Sequence, residues 1–291
     1  EDGVPLVIMT LQKHLHKSDY YSGISFMRTA DLGKTWEGPI QPPELDWIKV
    51  SDTEQISVAD VTPGWHAPSG KLLAIGVHLV YRNGNQVYDR PGMRVGAYAV
   101  YDPETGAWTR WCKLETPYDE DKFFVVTPGC TQWIVEPDGS ILLPFYFQEK
   151  NDTLSKATVA RCAFDGETLA YIEHGTVFAT DVPRGLHEPS IAKYRGRYYL
   201  TLRQDLRGYV AVSDDGLEYA PHIPWTFDDG AELGSYNTQQ HWLVHDDGLF
   251  LTYTRRGANN DHIFRHRAPL FIAQVDPEKL CVVRATERIL I

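Results

Sequence analysis

The sequence predicts an all-β fold, and three observations carry that expectation. Long helical periodicity is hard to find. Short β-branched and aromatic runs bounded by Gly, Pro, Asp and Asn recur along the 291 residues. One element also repeats: a polar turn ending in glycine, followed by a strongly apolar strand.

The repeat runs in order as "EDGVPLVIMT", "PSGKLLAIGV", "PDGSILLPFY", "YRGRYYLTLR" and "DDGLFLTYTR". Its glycines, Gly3, Gly70, Gly139, Gly196 and Gly248, are 67, 69, 57 and 52 residues apart. Asp-Gly and Ser-Gly turns of this kind are tight hairpin connections that need a positive φ. A further strand follows, as in "VGAYAVYD", "ATVARCAFD", "YVAVSDDG" and "LFIAQVDP". Only Glu115–Lys122 is polar enough for a helical turn or an open loop. Units of about four short strands predict a single β-propeller domain over residues 1–291, with a many-stranded sandwich as the alternative.

The repeat also predicts where a site would lie. Seven residues past each turn glycine, at the end of the returning strand, stand Thr10, Val77, Tyr146, Arg203 and Arg255. About eight residues before the last three glycines stand Thr131, Glu188 and Gln240. Both sets belong to one face, around a central funnel. Glu188 and Arg203, in "HEPSIAKYRGRYYLTLR", are therefore expected as neighbours.

Composition narrows the partners. A net charge of −11 argues against a phosphate-backbone partner, which needs clustered Lys and Arg. No stretch approaches 18 apolar residues, so no membrane-spanning helix is expected. The start lacks the pattern of a signal peptide, but a removed signal would look the same. A secreted or periplasmic location is favoured over a cytoplasmic one. Cys112, Cys130, Cys162 and Cys281 show no CxxC spacing and read as buried thiols, with one disulfide as the alternative. The histidines, among them His14, His16, His66, His78, His187, His241, His262 and His266, match no metal signature. Hydrogen bonding is their expected role, and no metal or cofactor is expected.

"TADLGKTW", residues 29–36, follows the pattern Ser/Thr-x-Asp-x-Gly-x-Thr-Trp, and "SDDGLEY" at 213–219 is a shorter relative. This pattern resembles the Asp-box (BNR repeat) of the sialidase (neuraminidase) superfamily. There it is a structural turn, with Asp31 bonding backbone and Trp36 packed beneath. The Glu188-to-Arg203 segment is similar to the sialidase segment carrying a glutamate beside the nucleophile and a carboxylate-binding arginine. "RHRAPLFIAQVD" places Arg265 and Arg267 where a further such arginine stands. Asp19 precedes the Asp-box strand, at the place of the acid/base aspartate.

The resemblance thus implies a six-bladed sialidase-like propeller and a glycoside hydrolase acting on an acidic sugar. Asp19, Glu188 and Tyr236 become its catalytic candidates. Arg203, Arg267, Arg265 and Arg255 would bind a carboxylate through their forked donors. His66, His78, Gln240 and His241 would complete the substrate contacts. The sequence also departs from the family. It has no Arg-Ile-Pro segment, and Tyr236 in "GSYNTQQHW" does not match the family's nucleophile segment. Five repeats are visible, so the chain is expected either to be part of a six-bladed ring or to close with five. A propeller polysaccharide lyase, a His-based glycosidase and a non-catalytic glycan-binding propeller are the alternatives.

Overall fold

A computed structural model describes residues 5–16, 19–116 and 122–291. Gly3 and most of the polar stretch after Glu115 lie outside the described residues. The chain divides into two compact units, residues 1–130 with 163–171, and residues 131–162 with 172–291. Among the described residues no helix is long and apolar enough to cross a membrane.

In the first unit, β1 (Val7–Leu11), β2 (Ser25–Thr29) and β3 (Glu37–Ile40) form a three-stranded antiparallel sheet. A larger sheet follows, from β4 (Ile48–Lys49), β5 (Glu54–His66), β6 (Lys71–Arg82), β7 (Asn85–Val87), β8 (Val95–Asp102), β9 (Ala107–Trp108) and β10 (Cys112–Lys113). Its spine runs β10-β8-β6-β5-β4, with β7 on β6 and β9 on β8. Its central strand "KLLAIGVHLVYR" is buried almost throughout, which is why it reads as a continuous apolar run instead of an alternating one. Phe26, Tyr101 and Trp108 fill the core between the two sheets. The last strand here is β11 (Val125–Thr127).

The second unit holds three successive sheets. In the first, β12 (Ile134–Val135) pairs with β13 (Ile141–Gln148), and β13 pairs with β14 (Lys156–Phe164). After β15 (Leu169–His174) comes a meander of β16 (His187–Tyr194), β17 (Arg197–Arg203), β18 (Tyr209–Ser213) and β19 (Ile223–Pro224). The last sheet orders β20 (His241–His245), β21 (Gly248–Tyr253), β22 (Phe271–Asp276) and β23 (Cys281–Val282), with β24 (Arg288–Ile289) on β22. Trp225, Trp242, Tyr199, Tyr253 and Phe271 pack between the last two sheets.

One glutamine joins the leading strands of this unit. The Gln132 carbonyl accepts from Ile191 N (3.0 Å), its Oε1 accepts from Trp242 N (2.8 Å), and its Nε2 donates to Trp242 O (3.1 Å). The Trp242 indole donates in turn to Ser190 O at 2.9 Å. These bonds tie together the starts of the three sheets.

The repeated turns behave as expected at Gly70, Gly139 and Gly196, with φ of 64°, 85° and 80°. Gly248 differs: Asp246-Asp247 makes the loop, and Gly248 starts β21 opposite His245, outside the left-handed region. The two Asp-centred turns share one bonding scheme. Thr29 Oγ1 donates to Asp31 Oδ1, and Asp31 accepts from Thr35 N and Oγ1. Those bonds hold the Asp31 carboxyl at about 2. Ser213 and Asp215 repeat the arrangement with Leu217 N and Glu218 N. Trp36 lays its indole against Gly33 of the turn but stays partly open on its other side. It is 39% exposed, because β3 beside it is exposed at all four positions and supplies no layer to lie under.

Candidate functional site

The start of β16 and the end of β17 meet in register, His187 opposite Arg203. The ladder breaks between His187 and Ser190, and Glu188 takes a φ of 41°. A glutamate in that region is strained by roughly 1–3 kcal/mol. The distortion turns the Glu188 carboxylate to Arg203, whose Nη1 donates to Oε1. Arg203 Nη2 donates to Asn237 Oδ1 at 2.7 Å. The side chains of Arg203 and Glu188 are only 8% and 13% exposed. Burial opposes the Arg203 charge, yet the Glu188 carboxylate raises its pKa overall. Glu188 Oε2 is buried without a hydrogen-bond partner.

Asn237 belongs to the loop before β20 and is anchored by its own N–H to Gln204 O (2.9 Å). Its carbonyl accepts from Arg267 Nη2 at 3.3 Å. The preceding residue, Tyr236, bonds through its hydroxyl to His266 Nδ1, while the Arg256 guanidinium lies 4.4 Å from the Tyr236 ring centre. His266 Nε2 is 3.1 Å from Asp261 Oδ1. Asn260, almost fully buried, fixes this last loop by donating to Arg255 O and Ala268 O at 3.0 and 2.9 Å. Four stretches of the second unit therefore converge: Glu188, Arg203, Tyr236-Asn237 and His266-Arg267. His187 flanks them, its ring 4.8 Å from Tyr146 and its Nε2 3.3 Å from Ser155 Oγ.

Other sequence-predicted residues are placed elsewhere. Arg255 is taken up by Glu287 (Nη2 to Oε1, 2.6 Å), which Tyr253 also contacts, so its charge is spent within the fold. Gln240 is buried, accepting from Thr201 Oγ1 at 2.9 Å and donating to Thr238 O at 2.6 Å. His241 lies 3.1 Å from Ser190 Oγ, and burial pushes it down to about 4. His78 contacts Met93 O at 3.0 Å and is likewise held at about 4, by burial and then by Lys113. His66 closes the Gly70 turn of the β5–β6 hairpin through Ser69, at the hairpin's far end from Arg82. These four make structural contacts where substrate contacts were expected: His78 and His241 are strand positions covered by their neighbours, Gln240 is buried just before β20, and His66 sits at the turn. Arg265 is exposed, at φ 55° and 5.0 Å from the Phe264 ring.

Asp19 lies in the first unit, exposed, between β1 and β2 at φ 58°. Its main-chain carbonyl accepts from Tyr81 OH at 2.6 Å. Tyr20, Trp47 and Tyr81 form an aromatic cluster beside it, with ring centres 5.0 to 5.3 Å apart.

Sequence reasoning missed Asn237, Asp261 and the His266 contact. The signals available were an Asn in a turn-rich loop and the dense polar run "RGANNDHIFRHR". Among the described residues no group of three or more His, Cys, Asp or Glu could hold a metal ion.

No family model matches the chain, and neither does any curated relative. Solved structures do. A Trypanosoma rangeli sialidase in complex with sialic acid is similar over 93% of this chain and 44% of its own, at 15% identity and a TM-score of 0.63. The Hadza microbial sialidase Hz136 matches over 92% and 53%, at 16% identity and 0.61. NanB sialidase from Streptococcus pneumoniae matches over 95% and 58%, at 13% identity and 0.60. The chain spans about half the length of these sialidases. At such identities the likeness establishes the fold: a sialidase-like β-propeller.

Proposed function

We propose that this chain is a sialidase-like glycoside hydrolase, exo-acting on an acidic sugar and built on a six-bladed ring. The observation that carries the reading is the convergence of Glu188, Arg203, Tyr236 and Arg267 in one unit of such a fold. Glycosidic cleavage needs a group that attacks or stabilises the anomeric centre. Tyr236 supplies a hydroxyl for that task, and Glu188 a buried carboxylate held in a strained position. Arg203 is occupied by Glu188 and Asn237, so its role is to hold that carboxylate. Arg267, exposed beside Asn237, is the arginine that meets the sugar carboxylate. Asp19 of the first unit is a separate acid/base candidate, tested by its own substitution.

A fluorogenic panel of acidic and neutral glycosides, with product analysis by mass spectrometry, tests the reading. Release of an acidic monosaccharide that is lost in Glu188→Gln supports it. Ligand binding without turnover in every member would replace it by a glycan-binding role. The Tyr236–His266 contact also suits a second reading, abstraction of a C5 proton from a uronate by a lyase. An unsaturated product absorbing in the ultraviolet would identify that case.

A further inference from the structure

We infer that His266 and Asp261 are a proton-accepting dyad that prepares the Tyr236 hydroxyl for reaction. The inference rests on the site reading above for the importance of Tyr236, and on geometry for the rest. Tyr236 OH and Asp261 Oδ1 contact opposite nitrogens of one imidazole. A carboxylate only accepts hydrogen bonds, so Asp261 requires the proton of neutral His266 to sit on Nε2. Nδ1 then carries a lone pair and faces the phenol. The phenol must donate, and its proton has one acceptor to go to.

The step is a single proton transfer. The Tyr236 O–H bond breaks, the proton moves to His266 Nδ1, and the phenolate keeps the electron pair. The imidazolium left behind is balanced by the Asp261 carboxylate at Nε2. The Arg256 guanidinium over the Tyr236 ring favours the negative charge that forms there. An orienting carboxylate, a histidine and a hydroxyl in line is the general arrangement that activates a weak nucleophile.

The backbone supports the same assignment. Arg265 and His266 both lie at positive φ, 55° and 52°, in a tight turn held by His266 N donating to Ile263 O at 2.9 Å. Two successive non-glycine residues in this region cost on the order of 1–3 kcal/mol each. That conformation presents the His266 ring to Tyr236, and buried Asn260 fixes the base of the loop. His266 itself is 19% exposed at its side chain, while Asp261 is 94% exposed. Both act through Tyr236 and are positioning residues.

The test separates a proton acceptor from a mere hydrogen-bond acceptor, using the full chain. His266→Asn keeps an oxygen near the position of Nδ1 but cannot hold the proton. Asp261→Asn supplies an amide that can donate to Nε2, which moves the His266 proton to Nδ1 and turns it against the phenol. Labelling of Tyr236 by a phenolate-selective acylating reagent, read by peptide mass spectrometry, needs no substrate. The expected result is a fall of about tenfold or more in Tyr236 labelling in His266→Asn. A smaller fall is expected in Asp261→Asn, with the other tyrosines unchanged in both. In His266→Gly, added imidazole should restore both labelling and any turnover. Unchanged labelling in His266→Asn, with the variant folded by circular dichroism, overturns the inference. If labelling responds while no glycoside is cleaved, the dyad stands and the hydrolase reading fails.

Discussion

Replacing Arg203 by Met, Glu188 by Gln, and both together isolates the pair at the centre of the proposed site. Arg203→Met leaves the Glu188 carboxylate 13% exposed and without its guanidinium, and its Oε2 already lacks a partner. Breaking a buried pair from one side costs about 3–5 kcal/mol. Glu188→Gln retains an oxygen for Arg203 Nη1 and removes only the charge, which costs about 1–3 kcal/mol. The double variant has neither stranded charge, so its loss should fall short of the sum by about 1–3 kcal/mol. At about 2–4 °C per kcal/mol for proteins of this general size, Arg203→Met lowers the unfolding midpoint by roughly 6–20 °C. Calorimetry and urea denaturation supply the stabilities. The glycoside panel supplies turnover, which should fall by about 10²–10⁴ in Glu188→Gln if Glu188 serves in proton transfer. Losses that add within about 0.5 kcal/mol would show that the two groups do not interact. Full turnover in Glu188→Gln would remove Glu188 from the chemistry.

Three further expectations follow from the same contacts. Arg267→Ala should raise KM for an acidic glycoside by about 10–100-fold, the worth of one charge-assisted contact, with little change for a neutral one. Asp19→Asn should cut turnover by about 10²–10⁴ without lowering the unfolding midpoint. The exposed carboxylate is lost, but the main-chain oxygen that Tyr81 contacts remains. Acid sensitivity should come partly from His78 and His241, both near 4 in the fold against an ordinary value of 6.5. Between those values the unfolded chain binds more protons, so their contribution is complete above about 6.5 and is lost as pH falls toward 4. The slope reaches at most about 2.7 kcal/mol per pH unit for two protons, and His241→Asn should remove about half of it in denaturation measured from pH 4 to 7.

The sheets and part of the site were legible because they follow local rules. Gly196 needs a left-handed turn, the turn fixes hairpin register, and register sets His187 opposite Arg203. Glu188 and Arg203 could therefore be paired from spacing alone. The same offset misplaced Arg255, because β21 ends at Tyr253 and Arg255 then turns to Glu287, far along the chain. His78, Gln240 and His241 looked available because polarity in a strand says nothing about what a neighbouring strand will cover. His66 was misread because it lies at the turn, not at the far end of the hairpin.

What spacing could not supply is the set of contacts made by irregular loops. Asn237 accepts from Arg203 and Arg267 only because its loop is pinned to Gln204, and no periodicity relates those positions. That pinning changes how the arginines divide their work. Arg203 has Nη1 on Glu188 and Nη2 on Asn237, and its Nε is buried. A sugar carboxylate reaching Arg203 would have to displace a carboxylate already held in a strained backbone position. Arg267 stands exposed on the other side of the same asparagine, whose carbonyl accepts from its Nη2. In the proposed site Arg203 therefore positions Glu188, and contact with an acidic sugar is assigned to Arg267.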